Sequence, residues 1–168
     1  MFKIKFHKAR FVAVAYLTII IQATFMHCIA LGTVKPDLVL LLVIFFSLYN
    51  GSQAGLICGL IVGFCVDVLS SGIVGINCFI LGGAGLLCGF LKERVYAGHL
   101  LTRILVGFAA CLFSVISYNI LALHFYRLPP FFENGAVIAG TIIYTTLFNI
   151  VFFKILEKTI VSKVTRLI

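Results

Sequence analysis

Five carboxylates, four histidines and six cysteines are all that this chain offers for acid–base, metal or thiol chemistry. The acids Asp37, Asp67, Glu93, Glu133 and Glu157 are spread singly along it. No HExxH pair, nucleophile elbow or phosphate loop accompanies them. Ser70-Ser71-Gly72 invites comparison with intramembrane serine hydrolysis, but no histidine at matching depth goes with it. His27, His99 and His124 fall near the ends of apolar runs, where hydrogen-bonded interfacial histidines are common. Cys28, Cys58, Cys65, Cys78, Cys88 and Cys111 form no CxxC and lie inside or beside apolar runs, where a thiol acts as a small hydrophobe. The expectation is a chain without catalysis, metal or cofactor.

One ionisable group stands apart. Asp67 closes the stretch 51–67, GSQAGLICGLIVGFCVD, in which Gly51, Gly55, Gly59 and Gly63 recur every four residues and Asp67 takes the next step. On a helix each such step turns ~400°, so the stripe drifts only ~40° per step along one side. In water every interior glycine would cost about 1 kcal/mol relative to alanine. In a bilayer the backbone must bond to itself, and glycines then admit a second helix closely. The stripe reads as a helix–helix seam that carries a carboxylate near membrane depth. There Asp67 is either solvated at the helix end or held by Asn77 across a short connection.

The elements that position these residues are membrane helices. The chain has 168 residues, 62% of them hydrophobic and 11% charged, against about 25% charged in an average soluble domain. Its mean hydropathy is +1.21. The formal charge of +8 gathers at the ends of apolar runs, as membrane-flanking charges do, and forms no patch suited to nucleic acid. A single all-α integral membrane domain, 1–168, is expected, with helices over 11–31, 36–53, 54–69, 73–91, 104–125 and 136–156.

The first run follows Lys3, Lys5, Lys8 and Arg10 like a signal peptide. It is too long for one, since 11–31 reaches about 31 Å as a helix, enough to cross a bilayer. Its polar members Thr18, Gln22 and His27 are expected to face other helices. Pro36-Asp37 reads as a helix start, with proline at the first helical position and aspartate in the first turn. Asn50-Gly51 is a turn signal. Gly75, Gly82, Gly85 and Gly89 keep one side of the fourth helix small. Thr141, Thr145 and Asn149, four apart, form a polar stripe expected to hydrogen-bond across helices.

Charge counting sets the topology. With six crossings and the N-terminus inside, eleven of the 13 Lys and Arg lie on the inner side, leaving Lys35 and Arg127 outside. With five crossings the inner side keeps five. The positive-inside rule therefore favours six helices with both termini cytoplasmic. Pro36-Asp37, the 67–72 segment and the Pro129-Pro130 loop then face outward.

The stretch 35–77, KPDLVLLLVIFFSLYNGSQAGLICGLIVGFCVDVLSSGIVGIN, resembles the rod shape-determining protein MreD family. The likeness rests on Pro36-Asp37 before a leucine-rich helix, then Gly59-x-x-x-Gly63-x-x-x-Asp67, then Gly72-x-x-Gly75. Length, six-helix topology and a basic tail agree, so it covers effectively the whole chain. The sequence departs at 47–53, where Asn50-Gly51 stands in place of the basic residue or proline frequent in that turn. The resemblance implies a non-enzymatic, multi-pass subunit of the bacterial inner membrane, in the cell-elongation machinery. It further implies work with an MreC-like periplasmic scaffold, MreB-like filaments, and a RodA-type polymerase with its transpeptidase, organising peptidoglycan synthesis among membrane lipids. Pro36, Asp37, Asp67, Gly72, Gly75 and Asn77 are expected to shape the conformation that partners read, beside the packing glycines 51, 55, 59 and 63. The family is also similar in architecture to substrate-binding subunits of energy-coupling-factor vitamin transporters, which leaves a vitamin-capturing subunit as the alternative. Against that stand the lack of tryptophan and the few outward polar groups.

Overall fold

A helix that is apolar on every side is stable only when other structure surrounds it, and 38–50 is such a segment. The computed structural model describes residues 8–29, 36–70, 74–94, 100–126 and 135–160. Among these are six helices and no strand: α1 (Lys8–Ile29), α2 (Leu38–Asn50), α3 (Ser52–Leu69), α4 (Ile76–Arg94), α5 (Leu100–Tyr126) and α6 (Gly135–Ile160). The short α2 runs through the middle and packs against all five others. Its residues from Leu41 to Phe45 are wholly buried. At 13 residues it is only about 20 Å long. It is screened by its neighbours, so the thickness of the bilayer does not act on it directly. By length and composition α3, α5 and α6 could each cross a membrane, while α1, α2 and α4 carry shorter apolar stretches.

The most extensive packing is between α3 and α4. A Cβ added at Gly55 would stand 2.5 Å from the carbonyl oxygen of Gly85, one at Gly59 2.8 Å from Cα of Gly82, and one at Gly63 2.6 Å from the carbonyl oxygen of Asn77. Backbone thus lies on backbone along α3 from Gly55 to Gly63.

Several boundaries differ from the sequence reading, each for a local reason. Gly51 does not belong to the α3 stripe. Its φ of 98° breaks the chain between α2 and α3, and its amide bonds to the Ser47 carbonyl at 2.8 Å. Hence α2 stops at Asn50 rather than 53, and α3 begins at Ser52. Pro36 is not the first helical residue either. Asp37 is the N-cap of α2, its carboxylate accepting the Leu40 amide at 2.9 Å, and proline precedes it. Gly75, with φ 109°, delays the start of α4 to Ile76. The last two helices are longer than their apolar runs, because Arg103 and Glu157 bond to each other and so fit inside them.

Candidate functional site

One set of chemistry-bearing groups collects at the end of the bundle where α2, α4 and α6 begin. Glycine cannot cap a helix with a side chain, so Gly75 leaves the first amides of α4 without a local acceptor. Asp67, two residues before the end of α3, supplies it from across the seam. Its Oδ2 accepts the amides of Gly75 at 2.8 Å and Cys78 at 3.2 Å. Its Oδ1 accepts the Asn77 amide at 3.2 Å and the Asn77 side-chain Nδ2 at 2.8 Å. All four donors are N–H groups, and a negative charge at a helix N-terminus is favoured by the helix dipole. Of the two environments left open for Asp67, the structure has the second: the residue is 1% exposed and held by Asn77.

The start of α2 is tied in a parallel way. Gln22 of α1 accepts the Leu38 amide through Oε1 at 3.0 Å, alongside the Asp37 cap. Thr18, also on α1, is buried and bonds to the Val14 carbonyl.

Between these two capped starts lies a cavity of about 650 Å³. Gln22, Pro36, Asp37 and Asn77 line it, together with Ser114, Tyr118 and Asn119 of α5 and Thr141 of α6. Of the residues singled out from sequence, Pro36, Asp37 and Asn77 therefore meet on one cavity, with Asp67 and Gly75 directly behind Asn77. Gly55, Gly59 and Gly63 lie along the seam beneath, and Gly51 is at its far end against Gly89. Gly72 lies outside the described residues, as do Ser71, Lys35, His99 and the loop 127–134. The side chains of His27 and Cys28 are likewise not described.

Sequence reasoning missed a second polar cluster, at the opposite end of α2. Arg103 of α5 bonds both oxygens of Glu157 on α6, at 2.5 and 3.1 Å, and Tyr49 of α2 donates to the same carboxylate. The Arg103 guanidinium also lies 5.6 Å from the Phe153 ring centre. A signal existed at Arg103, which leads directly into the apolar run 104–113 and so needs a partner there.

The polar stripe on α6 splits. Asn149 does cross to α5, donating to the Arg103 carbonyl at 2.9 Å and filling the notch left by Gly107. Thr141 instead bonds within its own helix, to the Val137 carbonyl. The Thr145 hydroxyl has no hydrogen-bond partner among the described residues.

Among the described residues no three of His, Cys, Asp and Glu come together as metal ligands do. One carboxylate ties the end of α3 to the start of α4, and Ser70 and Asn77 on either side of that joint line the cavity.

The model of the rod shape-determining protein MreD family matches residues 5–162. The chain belongs to the MreD family. Membership gives this MreD-family chain a role in rod shape determination, in a family of membrane proteins whose members are structural components. Comparison with curated proteins and with solved structures gives no match.

Proposed function

We propose that this chain is a non-catalytic inner-membrane subunit of the bacterial elongation complex, one that helps organise lateral-wall peptidoglycan synthesis. The family match over nearly the whole chain carries this reading. In it all six helices cross the membrane, both termini are cytoplasmic, and the Asp67 end of the bundle faces outward. The excess of Lys and Arg on the inner side supports that topology. The partners are an MreC-like periplasmic scaffold, MreB-like filaments, and a RodA-type polymerase with its transpeptidase. The polar joints at helix ends fit a scaffold, because they fix the shape that helix faces present.

The test is gentle detergent purification from the native membrane, followed by mass spectrometry of the co-purifying proteins. Recovery of an MreC-like protein is the expected result. Recovery instead of an ATP-binding-cassette module with a bound vitamin would overturn the proposal in favour of a transporter subunit. Within the scaffold reading, Asp67→Leu inserts normally but recovers less of the MreC-like partner.

A further inference from the structure

The cavity at the Asp67 end has walls that select a ligand class. At about 650 Å³ it falls within the range of small-molecule sites, roughly 300–1,000 Å³. Gln22, Asn77, Ser114, Tyr118, Asn119 and Thr141 bring polar groups to it from four helices, and Ser70 adds a hydroxyl at the end of α3. Amides and hydroxyls each both donate and accept. No lysine or arginine is among the described lining residues, and Asp37 is, so an anion entering here would lose hydration with no counter-charge to replace it. Between the polar groups stand Ile80, Leu81 and Val115. A group that carries hydroxyls around its edge and C–H bonds on its faces meets both kinds of wall, and the Tyr118 ring offers such a face a flat apolar partner. A peptide strand needs a straight row of partners along one groove, which groups converging from four helices do not make.

We propose that this cavity binds an uncharged sugar, a pyranosyl group that arrives either as the headgroup of a glycolipid or as a free saccharide. Asp67 acts as a positioning residue for it, since it holds the Asn77 amide that forms part of the wall. Binding in this sense is independent of the partners and of the topology proposed above.

The test uses full-length protein purified in a detergent without sugar and placed in phospholipid nanodiscs. Thermal unfolding is compared with and without monoglucosyl diacylglycerol in the disc, and with and without methyl β-glucoside in the buffer. Ligand at roughly ten times its dissociation constant raises Tm by about 3–6 °C for a chain of this size. A rise with the glycolipid alone assigns the headgroup, and a rise with methyl glucoside assigns the free saccharide. Either supports the site. The double variant Ser114→Ala, Thr141→Val removes two hydroxyls with little change of volume and lowers the rise by half or more. A change below about 1 °C with both probes, or an undiminished rise in the double variant, would overturn the proposal.

Discussion

Replacing Asp67 by Asn removes one charge and one acceptor while keeping the size of the side chain. Asp67 accepts four N–H bonds, two at each oxygen. Asn keeps one oxygen, so two donors at most remain served and its NH2 group faces the other two. If the oxygen stays toward Asn77, the Gly75 and Cys78 amides are stranded; if it flips, both Asn77 donors are. A stranded buried donor costs about 1–3 kcal/mol. Some relief comes because the site is at a helix end, so the net loss is about 2–4 kcal/mol. That corresponds to a Tm roughly 5–15 °C lower. Asp67→Leu serves no donor and sets nothing against the dipole of α4, so it melts lower still. The assay is a thiol-reactive fluorophore followed on heating, because the buried thiols of Cys58, Cys88 and Cys111 become reactive only as the bundle opens. An Asn variant melting within about 2 °C of wild type would refute the cross-seam cap. So would a Leu variant no worse than Asn.

Gly59→Leu drives a side chain into the α4 backbone at Leu81 and Gly82, with an expected loss of about 3 kcal/mol or more and little folded monomer by size exclusion. Gly82→Ala meets side chains and no backbone, Leu60 at 3.0 and 3.2 Å and Leu56 at 3.5 Å, and is expected to stay within about 1 kcal/mol of wild type. Glu157→Gln weakens the link to Arg103 and is expected to cost about 1 kcal/mol at low salt, since the two side chains are 32% and 14% exposed; melting at rising salt should shrink the difference. Gln22→Leu strands the Leu38 amide and is expected to cost about 1–2 kcal/mol, whereas Gln22→Glu, which keeps an acceptor, melts closer to wild type.

Much of the fold was legible because bilayer physics writes it plainly. Apolar runs gave the six helices, and Asn50-Gly51 and Pro36-Asp37 gave two of their junctions. What was not legible came from tertiary contact. That α2 is the hub follows from five neighbours at once, and its uninterrupted apolar run is equally what a helix facing lipid would carry. Asp67 was visible as an oddity, but its four donors come from residues 75–78, brought near by a turn at Gly75. The missing N-cap at Gly75 was the overlooked clue. Arg103 was counted only as an inner-side charge and Glu157 only as one of five scattered acids, because the positive-inside rule counts Lys and Arg without asking which are paired. The cavity was not legible at all, since its walls are single polar residues on separate helices.

The polar groups of this chain are few, and several of those described tie one helix to another at a helix end. Gln22 and Asp37 fix the start of α2, Tyr49 ties its end to Glu157 and Arg103, and Asp67 fixes the start of α4. In a membrane this distribution has a physical basis. Apolar side chains gain little from helix–helix contact over contact with lipid, so they set closeness of packing but poorly define relative position. Hydrogen bonds to helix ends do define it, because each unsatisfied terminal amide costs several kcal/mol in hydrocarbon. Glycine backbones then bring α3 and α4 together, and the Asp67 carboxylate sets their register. Shape in this bundle therefore depends on a handful of acceptors, and substitutions at those positions disturb it most.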